Sequence, residues 1–240
     1  MGRLRTIYDR YSKRAIVDEP EEYLRPISGY VEFFVGDSHD NAHDGKRERG
    51  TMAGRFEALY INVDKCMANG VKLSGVMDAY SAEIAEIYET LFDPRTDELR
   101  KNVKEQLGNV PLRNILVITR VEILPEYRGM GIGLATVWSL IRHHSAECGI
   151  AALKAFPLQF RAWRPSDPEK SDWNKKMGYD PDSQTLEYAH EKLIFHIKKL
   201  GFKRIGDGGV LALSTSMQNR VPQEIRRWAP PSVPPKSKKQ

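Results

Sequence analysis

The run Val121-Glu122-Ile123-Leu124-Pro125-Glu126-Tyr127-Arg128-Gly129-Met130-Gly131-Ile132-Gly133 constrains the fold of this 240-residue chain more than any other stretch. It predicts a strand that breaks at a proline, then a glycine-spaced turn, then a helix from Leu134 to about Glu147. Leu134, Val137, Trp138 and Ile141 share one apolar face of that helix. Alternating glycines let the backbone pass close to a ligand. Amides at the start of a helix lack an intrahelical partner, so they and the helix dipole favour a negative group. The turn therefore predicts an anion site suited to a phosphorylated cofactor. Spacing narrows the choice. A dinucleotide loop needs glycines at the first, third and sixth places, but the sixth place is Leu134 counting from Gly129 and Thr136 counting from Gly131. The acidic residue that such a loop requires after the next strand is missing from Ala152-Leu153-Lys154-Ala155-Phe156. A nucleoside-triphosphate loop needs Gly, four residues, then Gly-Lys-Ser/Thr, and no such run occurs. The plain alternative is a turn that only lets a helix pack on a strand, which does not call for three alternating glycines.

Charge and cysteine content bound the partners. The net charge of +5 sits at the ends: residues 1–14 and 221–240 each carry five basic and one acidic side chain, which leaves the middle at −3. A basic folded surface for nucleic acid is not indicated, and the ends read as solvated tails. No apolar stretch approaches the roughly 20 residues of a membrane span, and the N-terminus lacks the apolar core of a signal peptide. Met1-Gly2-Arg3-Leu4-Arg5-Thr6 formally fits an acylation pattern that short sequences match by chance. Cys66 and Cys148 are too few for a disulfide framework, which points to a reducing cytoplasm.

Around the central run, Tyr30–Val35 and Arg55–Val63 read as a hairpin joined by a flexible polar loop, 36–50. One long helix is predicted from Ser74 to Phe92, with Met77, Tyr80, Ile84, Ile87 and Leu91 as its apolar stripe. The stripe suits packing on the chain's own sheet and leaves a homodimer contact open. A second helix over Asp97–Leu107 closes at Gly108, and Asn114–Leu124 is the strand that feeds the glycine turn. Ala151–Phe156 is the next strand. Arg161–Ser183 is proline-rich and charged, and reads as an irregular excursion whose Trp163 and Trp173 fold over something, the substrate side being favoured. Thr185–Leu200 is a helix with Leu186, Ala189, Leu193, Ile197 and Leu200 as its stripe, followed by strands at Phe202–Ile205 and Val210–Leu213. The organisation expected is a basic segment 1–26, one domain 27–220 with a helical insertion at about 71–108 and an irregular loop at about 161–184, and a flexible Pro/Lys-rich tail 221–240.

Arg128-x-x-Gly131-x-Gly133, with Tyr127 before it and a Val-x-Ile strand upstream, resembles the acetyl-CoA pyrophosphate loop of the GNAT acyltransferase superfamily. Lys198-Lys199-Leu200-Gly201-Phe202 is similar to the segment that closes the last helix in many members, so the resemblance runs from about Asn114 to Ser214. It implies an α/β (α+β) fold: a mixed, mostly antiparallel sheet split at the cofactor strand, with helices on both faces. It implies an N-acetyltransferase that uses acetyl-CoA as co-substrate, without a metal, on a primary amine carried by a small molecule or a protein. The cofactor residues are then the strand backbone at Val121, Glu122 and Ile123 and the turn Arg128, Gly129, Met130, Gly131, Ile132, Gly133 and Leu134. A bulge in the family's central strand frees its backbone to pair with pantetheine.

Amine attack on a thioester needs a base for the ammonium and an acid for the departing thiolate. Glu122 alternates with Val121 and Ile123 on the strand and is the best base candidate. The family's usual tyrosine acid falls at Ile197 here, which leaves His196 and Tyr188 as acid candidates. Gln159 stands near the place of a usual asparagine. The departures from the pattern also support a rival reading, a CoA-binding module without turnover. The pairs His39/His43 and His144/Cys148 have helical metal-ligand spacing, but the first lies in a polar loop and the second lacks a third ligand. Cys148 as a nucleophile lacks a base.

Overall fold

The computed structural model describes residues 3–8, 20–34, 50–160, 168–179, 185–217 and 222–228. Val31, Gly29 and Ile27 point inward while Tyr30, Ser28 and Pro26 point out, the alternation that marks a half-covered strand. That strand, β2 (Leu24–Phe34), pairs with β3 (Thr51–Ile61) as a hairpin, and β3 pairs with the central β4 (Ile115–Ile123). The remaining strands are β1 (Arg3–Tyr8), β5 (Ile150–Lys154), β6 (Lys203–Ile205) and β7 (Val210–Ser214). Their order is β1-β2-β3-β4-β5-β7-β6, with every pair antiparallel except β4 and β5. The expected fold class, a mixed and mostly antiparallel sheet with helices on both faces, is the one found.

Helices cover each face because the central strands are apolar on both sides. Leu116, Ile118, Ala151 and Leu153 pack toward α5 (Ile132–His144) and α7 (Leu186–Lys198). Ile115, Val117, Ile150 and Ala152 pack toward α1 (Val63–Ala68), α2 (Leu73–Tyr80), α3 (Ala82–Leu91) and α4 (Lys101–Leu107). The stretch expected as a helical insertion is thus a whole layer of the fold. Its single long helix is two: Ser81 is extended at φ −171° and ψ 156°, and its hydroxyl accepts from the Ile84 amide at 3.3 Å, capping α3. Met77, Ile84, Ile87 and Leu91 of the stripe are fully buried inside the chain, and Tyr80 is left exposed.

Three further expectations are corrected. The basic N-terminal segment is not all tail, since Arg3–Tyr8 forms the edge strand against Gly29–Phe34. Within the excursion expected to be irregular, Pro168–Met177 is a helix, α6. Within the tail, Gln223–Trp228 forms a 3-10 turn with Ile225 buried in the α5 core, while 229–240 lie outside the described residues. The 36–49 part of the polar loop, with His39 and His43, and Trp163 also lie outside them.

Near the end of α5, His144 is 1% exposed and neither ring nitrogen has a hydrogen-bond partner among the described residues. Tyr8 of β1 stacks on the adjacent His143 at 4.6 Å and meets His144 edge-on at 6.1 Å. Burial, with the His143 charge second, lowers the His144 pKa from 6.5 to about 4. The unfolded chain therefore takes up a proton between pH 6.5 and about 4 that the folded chain refuses. Stability should fall on acidification through that window, by up to about 3 kcal/mol, and be unaffected by this group above pH 6.5. Urea unfolding at a series of pH values checks this. His144→Leu, which removes the titration without losing a hydrogen bond, should flatten the curve there.

Candidate functional site

β4 carries the site. It pairs with β5 only over Ile115–Val117 against Ile150–Ala152, so from Ile118 onward its β5 edge has no strand beside it among the described residues. On the other edge, the register with β3 skips Thr119, a bulge that turns the strand at the point where the sheet opens. Into the opening fits a cavity of about 490 Å³, walled by Val121, Glu122 and Ile123, by Phe156 to Gln159, and by Leu193, His196 and Ile197 of α7. Gln159 therefore reaches the cavity wall, as does Arg128. Gly129, Met130, Gly131, Ile132, Gly133 and Leu134 lie outside its wall and follow Arg128 directly. Gly133 backs onto that wall, since a Cβ there would stand 3.6 Å from Cγ1 of Ile123.

The turn itself exposes donors. Pro125–Tyr127 forms a short 3-10 turn, and the chain then passes through Gly129 and Gly131 at φ +74° and +79°. Those left-handed angles suit glycine alone without strain. The first amide of α5 to reach a carbonyl is that of Ala135, on Gly131 at 3.0 Å. Among the described residues the amides from Gly129 to Leu134 bond to no backbone carbonyl. They form the start of a helix of 13 residues with no acidic residue in its first turn. A run of free amides with a helix dipole behind it is an anion cradle. Arg128 does not aim its main donors at this cradle. Its Nε donates to the Ile123 carbonyl at 2.9 Å and an Nη donates to the Met177 carbonyl at 2.6 Å, which ties the strand end to α6. From below, Trp228 donates its indole N–H to the Met130 carbonyl at 3.1 Å. Arg128 and Trp228 thus brace the turn, and its amides stay without backbone partners among the described residues.

Glu122 departs most from its expected role. Its side chain is 1% exposed and is held by donors on every side. Arg55, directly across on β3, donates to one carboxylate oxygen, as does the Trp173 indole at 3.0 Å. The Tyr179 hydroxyl donates to the other at 2.8 Å, and Arg120 stands 3.6 Å from it. The Arg55 guanidinium also lies over the Trp173 ring at 4.5 Å. A carboxylate so committed holds α6 and Tyr179 in place and has little capacity left to take a substrate proton. Trp173 is a structural anchor in this arrangement. It packs with Leu124 and Met177, and the cavity wall takes Met177, Gly178 and Tyr179 instead.

The two acid candidates separate. Tyr188 is 60% exposed, with Lys192 over its ring at 5.7 Å, and it is not on the cavity wall, so helix phase places it outside the site. His196 is on the wall. Burial first, then the charges of Lys199 and Lys192, lower its pKa from the ordinary histidine value. A ring held neutral takes a proton rather than delivers one, so it suits deprotonation of an amine better than protonation of a thiolate. Tyr179, which sequence reasoning missed, brings a hydroxyl to the wall. Burial, with the charge and hydrogen bond of Glu122 next, pushes its pKa up. No local sequence signal marks it, because its place depends on α6 and on Glu122 across from it. Cys148 is buried and its thiol is pushed up to about 12, chiefly by burial, so it is inert as a nucleophile. Among the described residues, no group of three or more His, Cys, Asp or Glu could hold a metal. None of their helices is long and apolar enough to cross a membrane. No family model matches the chain, and comparison with curated proteins and with solved structures finds no match.

Proposed function

We propose that the chain is a GNAT-like, acyl-CoA-dependent N-acyltransferase that moves acetyl from acetyl-CoA to a primary amine by direct attack. The observation that supports this best is the continuity of two features, a cradle of free amides at Gly129–Leu134 and an unpaired strand edge at Ile118–Ile123 that opens on one cavity. A cofactor with a pyrophosphate at one end and an amide-bearing arm at the other matches both. Bound acetyl-CoA would supply the acetyl group as a thioester. The amides of the turn hold the phosphates. Val121 to Ile123 offer backbone groups to the arm as a missing neighbouring strand would. Val121, Ile123, Val137 and Leu193 keep water from it. His196 is the base on the amine, in place of Glu122. The acceptor is a small-molecule or protein amine. The two cysteines, buried and unpaired, accord with a reducing compartment such as the cytoplasm.

A binding module that takes CoA without turnover is the second reading. It draws on the commitment of Glu122 and the exposure of Tyr188, which remove two of the groups that chemistry would call on. Thiol release from acetyl-CoA across a panel of primary amines separates the two. Turnover is expected, with an acid limb below the ordinary histidine value of 6.5, because the His196 base is held below it. His196→Gln should lower kcat about a hundredfold, remove that limb and leave acetyl-CoA affinity unchanged. Binding without thiol release over a broad panel would favour the module.

A further inference from the structure

The opening in the sheet has two sides. The large cavity lies on the α5 and α7 face, and a second cavity of about 310 Å³ lies on the α3 face, lined by Ala82, Glu86 and Phe160 among others. Thr119, Lys154, Phe156 and Leu158 line both, so the two cavities meet where β4 and β5 part. Lys154 is the last residue of β5 and lies two places beyond its last pair with β4. Its ammonium is paired with Glu86 of α3, which fixes it in the second cavity beside the opening. Lys192, a second lysine on the wall of the large cavity, instead lies over the exposed ring of Tyr188.

Resting on the acyl-CoA reading, we propose that Lys154 is an internal acceptor and that the protein acetylates its own Lys154 Nζ. The cofactor arm, running along β4 from the turn toward Thr119, brings its thioester end to the opening. Lys154 supplies an amine there from the opposite face. The Lys154–Glu86 pair is partly exposed on both sides, 28% and 36%, and such pairs open readily. Glu86 is placed to take the first proton from the ammonium. The neutral nitrogen then forms a C–N bond to the acetyl carbon as the C–S bond breaks, and the second nitrogen proton leaves with the sulfur as the thiol of CoA. The products are an uncharged acetyl-lysine, CoA and one proton. Acetylation removes the cation that faces Glu86, so the second cavity becomes more acidic once the step has occurred.

The full chain, incubated with acetyl-CoA and no added amine, gives the test by intact mass and peptide mapping, with acetyl-CoA binding followed separately by calorimetry. One acetyl group should appear at Lys154, about a hundredfold faster than at exposed lysines, because the amine is held beside the thioester. The same lysine in the urea-unfolded chain should lose that advantage. Lys154→Arg keeps a cation opposite Glu86 and should fold and bind acetyl-CoA normally but gain no rapid acetyl group. Normal acetyl-CoA binding with Lys154 unmodified, or modified no faster than the exposed lysines, overturns the proposal and leaves the acyl-CoA reading standing. Absence of acetyl-CoA binding overturns both.

Discussion

Glu122→Ala is expected to destabilise the protein by about 3–5 kcal/mol, the range found when one member of a buried charge network is removed. The carboxylate is 1% exposed, and its loss leaves the Arg55 guanidinium, the Trp173 indole N–H and the Tyr179 hydroxyl without their acceptor. Each lost bond to a charged group adds to the effect, and water has little room to replace the carboxylate. Since Trp173 and Tyr179 lie in or just after α6, that helix should loosen first. Urea unfolding measures the loss, and trypsin should cut near Lys175 and Lys176 sooner than in the wild type. Glu122→Gln retains an acceptor oxygen and should fall between the two. A catalytic base would behave differently, with Glu122→Gln folding normally and losing only turnover. A stability change under about 1 kcal/mol for Glu122→Ala, the level of an exposed ion pair, would refute the bracing role.

Gly131→Asp is expected to weaken acetyl-CoA binding at least a hundredfold. Gly131 is the N-cap of α5 at φ +79°, and an L side chain in that region costs about 1–2 kcal/mol. The larger effect is electrostatic: a carboxylate at the cradle occupies the dipole and repels the phosphates. Gly131→Ala isolates the conformational share, and should lower stability by about 1 kcal/mol while retaining most of the affinity. Calorimetric titration with acetyl-CoA alongside thermal unfolding keeps the two effects apart. Undiminished affinity in the Asp variant would show that the amide cradle does not hold the phosphates.

The strand-turn-helix core could be read from the sequence because each part has a strong local signal. Alternation, a proline stop, spaced glycines and a 3.6-residue stripe occur together between Val121 and Ile141. Local signals fail where long-range partners decide. Ser81 lies within an unbroken apolar period, and only its capping geometry shows that α2 and α3 are separate. The α6 sequence is polar and carries few apolar anchors, so nothing in it announces a helix; Trp173 and Met177 hold it only because Leu124 and Glu122 lie opposite. Strand β1 is rich in arginine and becomes a strand by pairing with the exposed edge of β2. Glu122 could be placed on the cofactor strand by alternation alone. Its role depends on the register that sets Arg55 across from it, and register is not a local property. Tyr188 and His196 are two helical turns apart, yet the phase of α7 sends one to solvent and the other to the cavity.

Amide hydrogen exchange with and without acetyl-CoA tests the proposed cofactor path most directly. The amides of Gly129 to Leu134 are free of backbone partners and should gain protection as phosphates bind. Those on the open edge of β4 between Val121 and Ile123 should slow together with them as the arm pairs with the strand. Joint protection of both stretches is the result expected. Protection confined to other parts of the chain, or none at saturating acetyl-CoA, would contradict it.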